Sequence, residues 1–293
     1  MAVPDYDAAV EFYKNLWGLE VVADDGGVSF WGTPADPEQY ILRLRKDASK
    51  RLDLISFAAR NAADVDELAR RLAAAGVRLD REPGSLETPG GGYGVRFFDP
   101  TGVLVEVSAD VAERAFRELE ERESIPRKLS HVVLNSPNPE ESANFYEQHL
   151  GLKVTDWLGP IMCFMRSGSQ HHIVGFGRGP HASLNHVSFE MRGIDEYMRG
   201  SGRLIRAGHS PLWGPGRHGP GDNTFSYFLD PNGNIAEYTT AMEHVDDESW
   251  EPRVFGMAPN SQDQWGTAGT ITPVMLSAQA NDPDLGLWTS APV

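Results

Sequence analysis

Cysteine is almost absent from the sequence: Cys163 is the only one in 293 residues, so no intrachain disulfide can form. This usage is typical of proteins kept in a reducing cytoplasm. Cys163 lies in the apolar run IMCFM, where a buried packing residue is favoured over a nucleophile. No apolar run approaches the roughly 18 residues of a membrane span, and no signal-peptide core follows the N-terminus. The sequence therefore predicts a cytoplasmic protein with no membrane partner.

Basic residues are too few to balance the acidic ones. The 26 lysines and arginines face 42 aspartates and glutamates, which gives a formal net charge of −16. Such a charge repels polyanions, so we expect neither a nucleic acid nor an anionic membrane surface as a partner. Hydrophobic residues make up 40% of the chain, which is enough to bury the core of one large domain or two ordinary ones.

Histidine is missing from the first 130 residues, and all nine histidines follow. This asymmetry matters because the chain contains an internal repeat. The segments FYKNLWGLEVV and FYEQHLGLKVT begin 133 positions apart, at Phe12 and Phe145. The segments FDPTGVLVEVSA and LDPNGNIAEYTT show nearly the same offset, with Asp99 and Asp230 being 131 positions apart. An almost constant offset indicates one supersecondary module that occurs twice in tandem.

Each copy of the repeat has the order strand, helix, several strands, second helix and closing strand–turn–strand. We predict an α+β fold with an N-terminal domain over residues 1–122 and a second, metal-binding domain over 127–245. The charged segment VAERAFRELEERESIPRK between them is predicted to be a helical linker that ends before Pro126. Residues 246–293 are predicted to form a mostly irregular tail, over a subunit surface or the mouth of a site.

Three ligand-type residues occupy strand-like stretches of the second copy: His131, His186 and Glu237. They lie in its first, middle and closing strands, so a curved sheet would place all three side chains on one face. A lone strand histidine is more often a hydrogen-bonded core residue than a ligand. Two imidazoles and a carboxylate at matching strand positions instead favour the 2-His-1-carboxylate site of non-haem Fe(II) oxygenases.

The first copy of the repeat serves as an internal comparison. Leu54 stands where the second copy has His186, and Glu106 matches Glu237. The position that matches His131 falls before the first residue, so the first strand of the N-terminal domain is mostly missing. We therefore expect a structural role for Glu106 and a working site in the second copy alone.

The repeated FY helix–strand segments and the two D-P-x-G-x3-E endings resemble the vicinal oxygen chelate superfamily. The second copy, with HHIVGF, LNHVSFE, GPGRHG and YFLDPNGNIAEYTT, looks like the type I extradiol ring-cleaving catechol dioxygenases. The resemblance covers roughly residues 3–245. It implies tandem βαβββ modules, a degenerate N-terminal domain and a catalytic barrel in the second half.

The resemblance also implies roles for residues around the three metal ligands. His172 matches the histidine that handles a proton and steadies oxygen, with His171 as the alternative in the same pair. Tyr227 matches the tyrosine beside the bound catechol oxygen, and His218 matches a second histidine of the pocket. Three more polar side chains lie close in sequence, and whether they reach the site stays open: Arg217, Asp222 and Asn223. Aromatic pocket walls are expected from Phe164, Trp213 and Trp250.

The expected function is the meta-cleavage of a catechol by O2 at a mononuclear Fe(II), with Mn(II) as a substitute metal. The expected activity is thus that of an oxidoreductase in aromatic hydrocarbon catabolism, and the expected assembly is a homo-oligomer. Two other functions stay open. One is another metal-dependent enzyme of the superfamily, such as a glyoxalase-like isomerase, and the other is a metal-free protein that sequesters a ligand. The sequence does not choose the substituent of the catechol.

Overall fold

The computed structural model describes residues 1–289. The chain divides into two halves with the same element order, and each half contains two βαβββ units. This architecture confirms the α+β class and the tandem modules predicted from the sequence. The strands of the first half are β1 (Ala2–Val3), β2 (Glu20–Asp24), β3 (Val28–Gly32), β4 (Leu42–Lys46), β5 (Ile55–Ala58), β6 (Leu79–Ser85), β7 (Tyr93–Phe98) and β8 (Leu104–Ala109).

The second half repeats this order with longer strands and is followed by a tail. Its strands are β9 (Pro126–Ser136), β10 (Lys153–Leu158), β11 (Met162–Arg166), β12 (Val174–Arg178), β13 (Ser183–Met191), β14 (Trp213–Arg217), β15 (Thr224–Leu229) and β16 (Ile235–Thr240), and β17 (Arg253–Phe255) belongs to the tail. The helices are α1 (Tyr6–Glu11), α2 (Ala62–Ala74), α3 (Pro139–Leu150), α4 (Ile194–Arg206), α5 (Pro259–Gln262) and α6 (Pro273–Ala280), and a π-helical turn (Phe12–Trp17) continues α1.

Local sequence sets the ends of the helices. Asn138 caps α3 by accepting a hydrogen bond from the backbone N–H of Glu141, and Pro139 fits the first turn. Gly151 ends the same helix in the left-handed conformation. Asn61 caps α2 in the same way as Asn138 caps α3. These residues fix where α2 and α3 begin and where α3 ends.

The sheets of the two halves differ in continuity. In the second half β9 pairs with both β12 and β13, so the strands form one curved sheet in the order β14-β15-β16-β13-β9-β12-β11-β10-β17. In the first half β1 has only two residues and pairs only with β4. Its strands therefore form two separate four-stranded sheets, β1-β4-β3-β2 and β5-β8-β7-β6.

The two halves share a buried core. Trp17, at the end of the π-helical turn, stacks on Tyr238 of β16 with ring centroids 4.0 Å apart. The hydroxyl of Tyr238 donates a hydrogen bond of 2.7 Å to the carbonyl of Trp17. Phe189 of β13 packs edge-on against the same indole. These contacts hold the closing strand of the second half against the first half.

The segment between the halves is not the helix that the sequence predicted. Residues 110–120 have no regular structure, because their backbone N–H groups bond to loops of the first half instead of to one another. Arg114 donates to the carbonyl of Pro37, and Arg117 donates to that of Pro34. Arg122 also adopts a positive φ of 70°, which a continuous helix excludes.

The tail was predicted to be mostly irregular over residues 246–293, of which 290–293 lie outside the described residues; residues 246–289 are partly regular. Strand β17 adds to the edge of the large sheet beside β10, and α6 buries Met275 against the second half. The indole N–H of Trp213 donates to the carbonyl of Gly269 at 3.2 Å, so the tail packs on β14. Within residues 1–289, no helix has the length and apolar character that crossing a bilayer requires.

Candidate metal and active site

Three neighbouring strands carry the predicted metal ligands. Ser188 of β13 pairs in register with His131 of β9 on one side and with Glu237 of β16 on the other. His186 precedes Ser188 by two residues, so both side chains point to the same face of the sheet. The structure therefore brings His131, His186 and Glu237 together, all of them buried.

The three side chains direct one donor atom each toward a common point. Nε2 of His131 lies 3.1 Å from Oε2 of Glu237, and Nε2 of His186 lies 3.5 Å from the same oxygen. The two Nε2 atoms are 3.4 Å apart. An ion about 2.1 Å from each donor would separate the donors by about 3.0 Å at right angles and about 3.4 Å at tetrahedral angles. These are the separations expected of ligands that share one ion.

Hydrogen bonds on the far side of each imidazole free Nε2 for a metal. Nδ1 of His186 lies 2.8 Å from Oδ1 of Asn185, which can only accept, so the proton resides on Nδ1. The amide of Asn185 is held in turn by Oδ1 of Asn135. Nδ1 of His131 bonds to the Ser130 hydroxyl at 3.0 Å. Burial lowers the pKa of both imidazoles to about 3, so both are neutral at pH 7.

The environment of the Glu237 carboxylate indicates whether these residues fit a divalent ion. The side chain is fully buried, and within residues 1–289 neither carboxylate oxygen makes a hydrogen bond of standard geometry. Burial raises the pKa of this carboxyl group because the charged form loses its water, although the nearby hydroxyls of Ser188 and Tyr227 oppose this effect. A buried carboxylate with so little hydrogen bonding is costly, and a divalent cation would remove that cost. The donor set and its environment therefore fit a metal ion.

The corresponding glutamate of the first half has a different environment. Glu106 forms a salt bridge with Nε of Arg96 at 2.8 Å and accepts a hydrogen bond from Ser56 at 3.3 Å. Arg96 pairs in register with Glu106, as Tyr227 pairs with Glu237. An arginine thus neutralises the first carboxylate at the place where the second half has a tyrosine.

Tyr227 and His218 form a hydrogen-bonded pair beside the metal ligands. The Tyr227 hydroxyl lies 2.9 Å from Nε2 of His218, and its ring packs edge-on against His186 with centroids 5.1 Å apart. Nδ1 of His218 lies 3.0 Å from the carbonyl of Gln262, so Nδ1 carries the proton and Nε2 accepts from Tyr227. Burial lowers the pKa of His218, which keeps this ring neutral.

His172 packs against the ligand His131, whereas Tyr227 packs against the ligand His186. Its ring centroid is 4.3 Å from that of His131 and 5.0 Å from that of Phe164. Its Nδ1 lies 2.9 Å from Nδ1 of His171, which is fully buried behind it. Burial and the neighbouring imidazoles lower the pKa of His172 well below its usual value. Of the two adjacent histidines, His172 is therefore the one that faces the ligands.

The loop after His218 answers a question that the sequence left open. Asp222 turns away from the ligands and pairs with Arg217 at 2.7 Å, so these two charges hold the loop. Asn223 is fully buried, and its Oδ1 has no hydrogen-bond partner in the described chain. A Cβ added at Gly221 would lie 2.9 Å from this oxygen and 3.1 Å from Cε1 of His172. Asn223 is thus a neighbour of His172, a position that its sequence context did not predict.

Two of the three aromatic residues expected to line the pocket lie at the site, and the third does not. Trp213 stacks nearly parallel to Tyr227, with an interplanar angle of 2° and a centroid distance of 5.9 Å. Phe164 packs against His172. Trp250 instead bonds to the carbonyl of Thr155 and lies under the guanidinium of Arg253, so it belongs to the tail contact.

Comparison with known proteins adds a family and several relatives. The chain matches the family model of the Glyoxalase/Bleomycin resistance protein/Dioxygenase superfamily over residues 1–107 and 128–238. A solved structure titled Mn(II)-bound glyoxalase from Novosphingobium aromaticivorans is 43% identical, with a TM-score of 0.94, and the alignment covers 99% of this chain and 95% of that one.

Two curated relatives carry names of ring-cleaving enzymes. Metapyrocatechase 2 of Cupriavidus necator is 29% identical over 287 residues, which cover 91% of this chain and 87% of the relative. The iron-dependent extradiol dioxygenase of Rhodococcus jostii is 26% identical over 270 residues, which cover 76% of this chain and 84% of the relative. Both alignments extend over the two halves of the fold.

Proposed function

This chain belongs to the Glyoxalase/Bleomycin resistance protein/Dioxygenase superfamily, and we propose that it is an extradiol dioxygenase that opens a catechol ring with O2. The reaction adds both oxygen atoms of O2 to a catechol and gives a muconic semialdehyde-type product. The observation that carries this proposal is the convergence of His131, His186 and Glu237 within one half of the chain, beside His172 and the Tyr227–His218 pair.

The metal is Fe(II), with Mn(II) as the alternative, and His131, His186 and Glu237 would hold it. The names of relatives include both metals, and imidazole with carboxylate suits either ion. When bound, such an ion supplies Lewis acidity toward the two catechol oxygens and a site where dioxygen meets the ring. The remaining steps depend on groups that the chain itself provides.

Tyr227 and His218 orient the ring of the substrate. His218 is fixed by the Gln262 carbonyl and receives the Tyr227 hydrogen at Nε2. The Tyr227 oxygen therefore directs its lone pairs away from His218, where they can accept a hydrogen bond from a catechol hydroxyl. Trp213 lies parallel to the Tyr227 ring and gives it an apolar neighbour.

His172 holds and returns a proton at Nε2. This nitrogen has no hydrogen-bond partner among residues 1–289, whereas Nδ1 is bonded to His171. Burial keeps the ring neutral, so Nε2 can take a proton from a catechol hydroxyl and give it back to the ring-opened product. Phe164 and His131 confine the ring on either side, so the proton stays close to the reacting carbons.

Oxygen uptake tests the proposed reaction. The protein is loaded anaerobically with Fe(II) or Mn(II), and then receives air and one of a panel of catechols: unsubstituted, 3-methyl, 4-methyl, phenyl or carboxymethyl. We expect one O2 consumed per catechol, a yellow product, and both atoms of 18O2 in that product. A metal-loaded protein that consumes no O2 with any catechol would contradict the proposal.

The same preparations separate ring cleavage from isomerisation. A glyoxalase-type reaction rearranges the hemithioacetal of a 2-oxoaldehyde and glutathione without consuming O2. We expect no such rearrangement, because all three metal-ligand positions come from one half and the matching carboxylate of the other half is bound to Arg96. The homo-oligomeric assembly and the cytoplasmic location stay predictions from the sequence.

A further inference from the structure

A buried chain of hydrogen bonds runs from Nδ1 of His172 through His171 to Asp156. His171 Nδ1 lies 2.9 Å from His172 Nδ1, and His171 Nε2 lies 2.8 Å from Oδ2 of Asp156. Both His171 and Asp156 have no exposed surface. Arg253 donates from its backbone N–H and its guanidinium to both oxygens of Asp156, which keeps the carboxylate in place.

A β-bulge in β10 places Asp156 at the end of this chain of hydrogen bonds. The ladder between β10 and β11 shifts register between Val154 and Asp156, and such a bulge re-aims the side chain that follows it. The first half has the same bulge between Val21 and Ala23 in its β2–β3 ladder. Ala23 thus occupies the place of Asp156.

The neighbouring strand differs between the halves in the same way. By the register of β12 and β4 with their partner strands, Gln39 and Tyr40 stand in the places of His171 and His172. The aspartate and both histidines are therefore confined to the half that has the metal-ligand residues. A purely structural device of the fold would be expected in both halves.

The direction of the hydrogen bonds follows from the carboxylate. Hydrogen bonds from His171 and Arg253 hold the pKa of Asp156 below its usual value although burial opposes them, so the group is ionised and only accepts. Nε2 of His171 therefore donates its hydrogen to Asp156. Only one of the two facing Nδ1 atoms can hold a hydrogen, so the hydrogen on His171 and the tautomer of His172 are coupled.

We propose that Asp156, acting through His171, fixes a single tautomer and a single ring orientation of His172 beside the metal ligands. Asp156 and His171 are positioning residues, since neither touches the substrate site. Their effect on turnover depends on the proposed function, but the tautomer of His172 does not. A carboxylate that selects a histidine tautomer has a large effect on rate in other enzymes, although it is not the base itself.

Nitrogen NMR of the metal-free protein tests the tautomer directly. With 15N-labelled histidine, the two ring nitrogens of His172 are expected to show one tautomer in the wild type. In Asp156→Asn, a neutral amide replaces the carboxylate that accepts from His171 and from the Arg253 guanidinium. This weaker acceptor no longer confines the hydrogen of His171 to Nε2, so the shifts of His172 are expected to move toward the average of the two tautomers. Unchanged His172 shifts in Asp156→Asn would overturn the proposal.

Kinetics test the consequence for turnover. Asp156→Asn is expected to lower kcat by about 10- to 100-fold, with KM for the catechol and metal content changed by less than about 2-fold. Glu243→Gln is the matched control, because it makes the same carboxylate-to-amide change at the other carboxylate that accepts from Arg253, and its side chain makes no hydrogen bond to His171 in the described chain. Its kcat is expected within about 3-fold of the wild type, as for a partly exposed ion pair.

A double-mutant cycle distinguishes positioning from general damage. In a His172→Phe background, Asp156→Asn is expected to have no further effect on kcat, because the residue through which it acts is gone. Equal losses in both backgrounds would contradict the proposal. If Asp156→Asn does not fold, His171→Phe takes its place in the same cycle. An inactive wild type would count against the proposed function alone, since the NMR result stands without turnover.

Discussion

The hydroxyl of Tyr146, in the second half, donates a hydrogen bond of 3.1 Å to Oδ2 of Asp99 in the first half. The reverse contact also occurs, because Tyr13 of the first half donates to Oδ2 of Asp230 in the second half at 3.3 Å. The FY and D-P-x-G segments that reveal the repeat in the sequence therefore meet across the two halves. Both aspartates also cap their own turns with their other oxygen, so one side chain serves turn and interface together.

Removing one of these hydroxyl groups should weaken the interface. Tyr146→Phe is expected to lower the free energy of unfolding by about 1 to 3 kcal/mol, because the buried Asp99 loses a donor. Urea denaturation measures the change. Tyr93→Phe is the matched control, since Tyr93 donates to Asp66 in an exposed pair at 2.8 Å and should cost less than about 0.5 kcal/mol. Equal losses in both variants would argue against the interface role of Tyr146.

The two glutamates should respond differently to the same substitution. Glu237→Gln is expected to reduce metal retention at least 10-fold, roughly, because an anionic ligand is lost. Glu106→Gln should leave metal content unchanged and lower the free energy of unfolding by about 1 to 3 kcal/mol, because Arg96 loses its partner charge. Metal analysis after gel filtration and urea denaturation measure both properties. Loss of metal in Glu106→Gln would place a binding site in the first half.

His172 should affect turnover without affecting the metal. His172→Phe is expected to lower kcat by about 100-fold or more, because no other group is placed to take the proton at that position. KM and metal content should stay close to those of the wild type. His181→Asn is the control, since within residues 1–289 its ring bonds only to the carbonyl of Ala182. Unchanged turnover in His172→Phe would remove this residue from the mechanism.

An alanine at Gly221 should be unfavourable for two reasons that can be tested separately, backbone strain and a contact with His172. Its φ is +80°, and an added Cβ would lie 3.1 Å from Cε1 of His172. Gly168 has a φ of +91° with nothing within 4 Å of an added Cβ, so it carries the backbone strain without the contact. Both alanine variants should lose about 1 kcal/mol of stability. Only Gly221→Ala is expected to lower kcat, by about 10-fold through displacement of His172. Equal kcat values in the two variants would contradict this contact.

Cys163 should stay unreactive in the folded protein across the alkaline range. It is fully buried in β11, and burial raises the pKa of its thiol far above the usual value. The unfolded thiol ionises near pH ~8.5. The unfolded state therefore loses a proton that the folded state keeps, and stability falls as the pH rises above that value. Disulfide-exchange reagents at pH 8 to about 9.5 should label the protein only in concentrated urea. Rapid labelling of the native protein would refute the burial of this thiol.

Much of the metal site was predictable because its residues combine type, spacing and an internal comparison. His131, His186 and Glu237 stand at matching strand positions, and the first half lacks the two histidines. Asp156 was not predicted and the position of Asn223 was left open, since they come from a strand bulge and a loop whose geometry depends on tertiary contacts. Their polar side chains are common in exposed turns, so the sequence alone gives no sign of burial.

In the linker, the sequence predicts an element that the structure does not contain. Its charged, helix-forming composition predicts a helix, but residues 110–120 bond to loops of the first half. Helix propensity is a weak preference of a few tenths of a kcal/mol per residue, and a set of tertiary backbone hydrogen bonds outweighs it. The short β1 likewise follows from the sequence, whereas the division of the first half into two sheets required the structure.

The carbonyl of Gln262 that fixes His218 belongs to the C-terminal tail, outside the repeated halves. A chain truncated before Gln262 would still contain His131, His186 and Glu237. The imidazole of His218 would then lack the carbonyl that fixes it, so Tyr227 would face a ring that can rotate. A purification tag or a proteolytic cleavage at the C-terminus should therefore lower the rate of substrate consumption while the iron content stays normal. The rate is the quantity to measure.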